Sequence, residues 1–565
     1  MASQGRRKFL RNVGGVLGAS ALNAEEDVRS PRRPSGGNPR AQNAYLLRET
    51  AAHFQGQRPA ANPATNGDEA LYPNLIGNFG KGLLHSQLGE VDLAAYQSMT
   101  HAISTQKHSD FTNIQLGYGR KLVNIESSFA YDLEGGDPHT ITIAVPPAFA
   151  SAQAAADMVE LYWQALARDV PFAQWSGSSI VQNAAAEING LTAFQGPRDA
   201  DGAVTVANAF RGKMAGCLVG PYISQYLLQT VNFGSTPREQ MYRTGVVGAD
   251  YMNTYSEWLE LVSGLPPYRT EVFNPTYLYI RSGRDLAQVV HYDYTFQVFL
   301  QAALIILNQF PETILDFNLY QLNNTNPYSS AFAPAARIQT GFTTFGSAHI
   351  LDWVARAANL ALKSTCYYKW AIHRRLRPEE FGGRVYNNLL GLANYPIHSS
   401  LMNSKALEAQ VQASGNALIP QAYVEGSPLH PSYPAGHAAI AGASATILKA
   451  MFQGSALVSP TVDVSADGLS LVPYTATALT IGGELDKLAY NMIMGRIWSG
   501  IHYRSDADAG LALGEEVAIC FLQDQANTFT EPFSGFTFTK FDGTTIMITP
   551  GTGDYAGINL LTPGY

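Results

Sequence analysis

The sequence predicts a mainly α protein: two helical bundles, a few short strands and a C-terminal β-hairpin. Three observations carry this. Apolar residues recur at helical spacing over long stretches, notably 150–168, 347–375 and 437–452. Alternating, strand-like patterning is confined to short pieces at 139–145 and 536–548. The 51 Gly and 30 Pro are numerous enough that extensive loops must join the helices.

The elements follow in chain order. Residues 1–42 read as leader and linker. Arg6-Arg7-Lys8-Phe9-Leu10-Arg11 resembles a twin-arginine export signal, followed by a weakly apolar stretch at 13–22 and small residues at Ala19-Ser20-Ala21. A functional leader implies a periplasmic or secreted protein; a plain basic tail implies a cytoplasmic one. Positions 29–40 are rich in Pro, Arg, Ser and Gly and read as linker.

Residues 43–345 form an N-terminal helical region. Asn66-Gly67-Asp68-Glu69 is a turn, and 77–89 is a glycine-rich loop. The 150–168 helix places Met158, Leu161, Tyr162 and Leu166 on one stripe, and 237–263 and 285–310 read the same way. The loop at 321–337, rich in Asn, Pro and Ser, is an internal boundary. Residues 346–530 form the C-terminal bundle. The helix at 347–375 is stopped by Pro378, the one at 437–452 carries no charge before Lys449 and should be buried, and a third at 485–499 extends toward Asp506. In 531–565, Phe536 and Phe538, then Asp542-Gly543, then Ile546 and Ile548 spell a hairpin.

Composition excludes several function classes. With 37 Lys+Arg against 45 Asp+Glu, a net charge of −8, the chain is a poor nucleic-acid binder. No apolar run reaches the ~18 residues of a spanning helix. The best candidate, 296–307, is short, holds Gln297 and Gln301, and reads as a core helix. Cys217, Cys366 and Cys520 are far apart, which argues against a disulfide framework and against zinc or iron–sulfur clusters.

Three segments concentrate groups that suit an oxyanion. Lys369 and Arg377, in Lys369-Trp370-Ala371-Ile372-His373-Arg374-Arg375-Leu376-Arg377-Pro378, lie two helical turns apart and can share a face. In His430-Pro431-Ser432-Tyr433-Pro434-Ala435-Gly436-His437, Gly436 stands at a helix start, where its bare N–H can approach a ligand. In the third segment Arg496 and His502 are six apart, and Asp506 follows one turn on, placed to orient a neighbouring imidazole or guanidinium. Guanidinium forks match tetrahedral oxyanions, so the set calls for phosphate or a phosphate-like ion.

Together the segments resemble the vanadium-dependent haloperoxidases, in particular their algal and cyanobacterial bromoperoxidase branch. They are similar, more loosely, to type 2 phosphatidic-acid and acid phosphatases. The Lys369-x7-Arg377 spacing and the His430 lead-in resemble the bromoperoxidase branch, as do 66–92 and 374–385. The resemblance implies that vanadate is the cofactor and lies in the C-terminal bundle. His502 would bind vanadium through a ring nitrogen, with Asp506 behind it. Lys369, Arg377, Arg496 and the N–H of Gly436 would neutralise its equatorial oxygens. His437 would bond the apical oxygen and act as acid–base, Lys369 would polarise bound peroxide, and His430 would tune His437 or the halide site. Ala435 stands where the family usually has a serine that donates to the oxyanion.

The resemblance further implies hydrogen peroxide, a halide (bromide foremost) and a small organic acceptor as reaction partners. It also implies a homo-oligomer, from dimer to dodecamer. Red-algal members bind calcium in a loop; Gln321-Leu322-Asn323-Asn324-Thr325-Asn326 sits in a similar place, with Asn where Asp is expected. Two other readings fit the same residues. One is a soluble acid phosphatase with His502 as nucleophile. The other is a non-catalytic oligomeric scaffold that binds oxyanions.

Overall fold

Local signals start and stop the helices that carry the chemistry. A computed structural model describes residues 39–308, 322–329 and 338–551, and the backbone of 558–561. The leader motif and its apolar stretch at 13–22, positions 29–38 of the expected linker, and positions 321 and 330–337 of the expected boundary loop lie outside the described residues, while Pro39 and Arg40 open helix Pro39–Gly56. The chain divides into units 1–50 and 51–565, and every site residue lies in the second.

The centre of the second unit is helix Gly436–Met451, which packs against helices Ser347–Tyr367, Ile481–Trp498 and Arg504–Ala526. Its small residues allow this. A Cβ added at Gly442 would lie 2.3 Å from the Leu511 carbonyl, and one at Gly514 would lie 2.0 Å from the Ala439 carbonyl. Only glycine permits backbones that close. Ile447 and Leu448 are fully buried there, each contributing about 1.5–3 kcal/mol of apolar burial. Helix Gln297–Asn308 buries Val298, Phe299, Ala302 and Ile306, as the core-helix reading required. Among the described residues, no helix is long and apolar enough to cross a membrane.

Strands are few, as expected. Phe536–Thr539 pairs antiparallel with Thr545–Ile548 across the Asp542-Gly543 turn, where Gly543 has φ 86°. Phe536, Phe538, Ile546 and Ile548 face the core. The hairpin gains a third strand, Ile558–Leu561, on the Thr545–Ile548 edge. Cys217, Cys366 and Cys520 are all free.

Five local expectations change. The 237–263 helix is confined to Tyr255–Val262, because the stretch before it carries Pro237, Gly245 and Gly248 and the helix begins only where the Thr254 hydroxyl caps the Glu257 N–H. The 285–310 helix, described as far as 308, is two, Gly283–Val289 and Gln297–Asn308, parted at residues whose side chains are used elsewhere. Residues 139–145 form no strand, having no partner strand; Pro138–Thr140 is a 3-10 turn instead. Helix Ile481–Trp498 does not run on to Asp506; His502 lies in the break before Arg504–Ala526.

Finally, the helix from Ser347 ends at Tyr367 and continues as a π turn, Tyr368–His373. Arg374 then adopts a left-handed φ of 39°, and Pro378 opens the next helix, Pro378–Leu389, rather than closing this one. Pro suits the first helical position because its missing N–H has no partner to lose there. Lys369 and Arg377 therefore sit on different elements, not on one helix face.

Candidate active site

The segment 375–377 is extended and lies along 77–79: Phe79 N–H donates to the Arg374 carbonyl at 2.8 Å, and Asn78 bridges to Arg375. Glu380 locks both sides, accepting from Gly80 N–H at 2.8 Å and from Arg377 N–H at 2.9 Å. Arg375 and Arg377, two apart, are buried and reach the same short stretch after helix Ile481–Trp498. Arg377 Nη1 donates to the Ile501 carbonyl at 2.9 Å and to His502 Nε2 at 2.9 Å. Arg375 Nη1 donates to Asp506 Oδ1 at 2.8 Å and its guanidinium covers the Tyr503 ring.

These contacts settle the state of His502. A guanidinium has no acceptor, so Nε2 must present a lone pair to Arg377. Nδ1 lies 2.9 Å from Asp506 Oδ2 and donates to it. His502 is thus a neutral imidazole with hydrogen on Nδ1 and a lone pair on Nε2, the form a metal ligand requires. Asp506 also accepts from Tyr503 N–H at 3.1 Å and from the Ser432 hydroxyl. Burial acts to raise its pKa, but Arg375, His502 and Ser432 hold it well below the usual carboxylate range.

The third cation comes from helix Ile481–Trp498. Arg496 is reached through Gly495, where a Cβ would lie 2.7 Å from Val290 Cγ2 and 2.9 Å from the Leu286 carbonyl. That close approach lets Arg496 Nη1 donate to the Val290 carbonyl at 2.6 Å, while its Nε is buried without a partner. Lys369 Nζ donates to the Pro431 and Ser432 carbonyls at 2.6 and 2.8 Å. His430, half-buried, meets Arg377 Nη2 at 2.9 Å. Ala435 is the residue before helix Gly436–Met451; its N–H donates to the Asp506 carbonyl at 2.9 Å, and its side chain makes no cap. Gly436 is buried, and a Cβ there would meet only Leu362 at 3.6 Å and Thr365 at 4.0 Å. Packing therefore does not demand a glycine at 436. His437, one residue into the helix, donates from Nε2 to Asp293 Oδ1 at 3.0 Å. Its Nδ1 is then the nitrogen free for proton transfer.

The electrostatics have one cause. Burial, then the charge of Arg377, push the Lys369 ammonium well below its ordinary value. Burial lowers Arg377 to about 10, with Arg496 adding to the push against Asp506. Burial, with Lys369 and Arg377 for His430 and Arg377 for His502, holds both imidazoles well below theirs. Among the described residues, Lys369, Arg377 and Arg496 hydrogen-bond only to neutral acceptors. Buried cations without a counter-charge are costly. A tetrahedral oxyanion supplies that charge and accepts several N–H groups at once, so the donor set and the orphaned Arg496 Nε fit vanadate.

The structure brings Lys369, Arg377, His430, Ser432, His502 and Asp506 into one hydrogen-bonded set. Arg496 and His437 join through residues 290–293. Sequence reasoning assigned no role to Arg375, Ser432 or Asp293. Arg375 and Ser432 stand inside quoted motifs, but their partner Asp506 is more than seventy positions away. Asp293 lies 144 positions before His437 in a stretch read as continuous helix, and no local pattern marks it.

A helical bundle with this arrangement defines a haloperoxidase-type oxyanion protein, and residues 407–531 match the family model described as VCPO second helical-bundle domain. The chain is 34% identical over 546 residues to a vanadium-dependent bromoperoxidase of Ascophyllum nodosum, covering 93% of this chain and 94% of that protein. It is 31% identical to the vanadium-dependent bromoperoxidase of Corallina pilulifera, covering 90% and 98%. The homohexameric structure of the second vanadate-dependent bromoperoxidase from Ascophyllum nodosum superposes with a TM-score of 0.85 at 28% identity, covering 98% of each chain. The chain belongs to the vanadium-dependent bromoperoxidase family.

Proposed function

We propose that this chain is a vanadium-dependent haloperoxidase that uses hydrogen peroxide to oxidise bromide to a hypobromite-like halogenating species. The observation that carries the reading is the neutral His502, its Nε2 lone pair set among three buried cations that lack carboxylate partners. Vanadate, when bound, supplies a Lewis-acid centre for peroxide. His502 Nε2 would hold the metal, with Asp506 fixing its tautomer. Lys369, Arg377, Arg496 and the Gly436 N–H would balance the charge of its oxygens. Ala435 offers no hydroxyl at the position where the family resemblance implies a serine donor.

His437 takes a proton from hydrogen peroxide at Nδ1 and returns it to the departing oxygen; Asp293 holds the ring in place. Lys369 draws charge from the oxygen that bromide attacks. His430, against Arg377, keeps that guanidinium oriented. Bromide gives an electron pair to one peroxide oxygen, the O–O bond breaks, and the other oxygen leaves as water. The hypobromite-like product then halogenates a small organic acceptor.

The named relatives are bromoperoxidases, which favours this reading over a phosphatase or a non-catalytic scaffold. The hexameric neighbour supports a homo-oligomer for this chain, checked by light scattering. In the 321–326 loop, Asn323 and Asn326 side-chain oxygens accept the N–H groups of Thr325 and Tyr328. Those bonds favour Asx turns over a calcium site. The deciding assay is dye bromination with vanadate, peroxide and bromide, with phosphate as competitor. Bromination that persists without vanadate, or that excess phosphate does not slow, would refute the reading.

A further inference from the structure

Helix Gly283–Val289 is followed by a short segment that touches the site twice. The Val290 carbonyl accepts from Arg496 at 2.6 Å, and the Asp293 carboxylate accepts from His437 at 3.0 Å. Between them stands His291. Its Nδ1 lies 3.0 Å from Glu271 Oε1 and its Nε2 lies 2.6 Å from Glu425 Oε1. The ring stacks on Tyr423, centroids 3.8 Å apart and planes 9° apart, and Arg496 lies over that same Tyr423 ring at 5.5 Å.

A carboxylate only accepts, and one lies within ion-pair reach of each ring nitrogen, aligned for a hydrogen bond at Nε2 but not at Nδ1. Hydrogen on both nitrogens keeps either lone pair from facing a carboxylate, which makes the ring an imidazolium. We infer that His291, clamped between Glu271 and Glu425, is a positioning residue that fixes the 290–293 segment and through it both Arg496 and His437. This rests on the haloperoxidase reading for what those two groups do.

The clamp is built from distant parts of the chain. The Tyr292 hydroxyl donates to Glu271 Oε2 at 2.6 Å, and Lys81 Nζ donates to the Glu425 carbonyl at 2.7 Å. The Tyr423 hydroxyl is tied to the Ala287 carbonyl at 2.6 Å. The charged and titratable groups around the imidazole are thus Glu271, Glu425, Tyr292 and Tyr423, with Lys81 beyond Glu425 and Arg496 across Tyr423. Arg243 lies over Phe273, and its charge reaches Tyr292. Burial opposes a charged ring, but the Glu271 and Glu425 carboxylates beside it outweigh that and raise its pKa above the ordinary histidine value. Loss of that proton would turn a lone pair toward a carboxylate and release one side of the clamp.

The test uses two readouts. Inorganic phosphate binding to vanadate-free protein is measured by calorimetry, and bromide oxidation is measured on the vanadate-loaded enzyme. His291→Gln should weaken phosphate binding and lower kcat, each roughly 10–100-fold, with Glu271→Gln acting in the same direction. The double variant His291→Gln/Glu425→Gln should recover much of both, since the introduced amide can donate to Glu271 and accept from the amide at 425. Values within about twofold of the parent in His291→Gln would overturn the inference. So would losses that track a fall in melting temperature and are not recovered in the double variant. A parent that binds phosphate but does not oxidise bromide fails the functional reading alone, and the phosphate arm still judges the clamp. A parent that oxidises bromide beside unaffected variants fails the clamp alone.

Discussion

Arg377 donates to Nε2 of His502 across 2.9 Å, so the lone pair that would ligate a metal is held by a guanidinium with no carboxylate of its own. Asp506 holds the opposite nitrogen at 2.9 Å. The imidazole is thereby fixed in tautomer and in plane before any oxyanion arrives.

Asp506→Asn should weaken this arrangement at two levels. The amide removes the charge that orients His502, which should reduce vanadate affinity roughly 10–100-fold. It also strands Arg375, whose remaining acidic partner, Asp157, is 3.5 Å away. Breaking a buried ion pair costs about 3–5 kcal/mol, to be read by chemical denaturation. Parental vanadate affinity in a folded variant would show that Asp506 does not govern His502.

Asp157 gives a pH signature of stability. Burial raises its carboxyl to about 7, with Arg375 and Ser505 opposing and Glu160 and Asp506 adding. Between about pH 4 and that value the native state keeps a proton the unfolded chain has lost. The stabilisation is therefore full at the acid end and is lost as pH rises through the folded value. Asp157→Asn should flatten the stability profile over that window. Equal slopes in parent and variant, from denaturation midpoints at several pH values, would reject this.

Ala435→Ser should act twice. Ala435 precedes helix Gly436–Met451 without capping it, and a serine there can accept a helix N–H, worth about 1 kcal/mol of stability. Turned to the oxyanion instead, the hydroxyl adds a bond worth roughly 0.5–1.5 kcal/mol to vanadate affinity. A hydroxyl committed to the cap would raise stability alone. Melting and vanadate titration together decide, and no change in either would mean the side chain faces neither.

His502 and His437 should separate cleanly. His502→Ala removes the proposed metal ligand and should abolish bromide oxidation, leaving at most loose vanadate association through the cations. His437→Ala should keep measurable vanadate affinity but lose roughly 10²–10⁴ in turnover, the usual worth of a proton shuttle. Asp293→Asn should resemble His437→Ala in direction with a smaller loss, because the ring stays but its charged anchor is gone. A His502→Ala variant that still oxidises bromide would falsify these roles.

Much of the bundle was legible in sequence. A glycine opening a run of small residues marks helix Gly436–Met451, because close backbone packing needs little else. Alternation around Asp542-Gly543 marks the hairpin, because turn chemistry and period are local properties. The oxyanion set Lys369, Arg377, Arg496 and His502 is visible because its residue types and spacings are rare in combination.

What the sequence by itself determined was which groups could gather around an anion; which of them are charged, neutral or paired in the folded state was decided by tertiary contacts. Arg375 and Arg377 are two residues apart and alike in type, yet one neutralises Asp506 and the other holds His502. Asp293 becomes the anchor of His437 only because Gly495 lets two helices approach closely enough to bring 290–293 to the site. Pro378 opens a helix rather than closing one because the chain before it is drawn out along 77–79, where its carbonyls and N–H groups find partners. Local spacing carries none of this, since the free energy of a buried charge depends on what meets it, and the partners come from elements far apart in the chain.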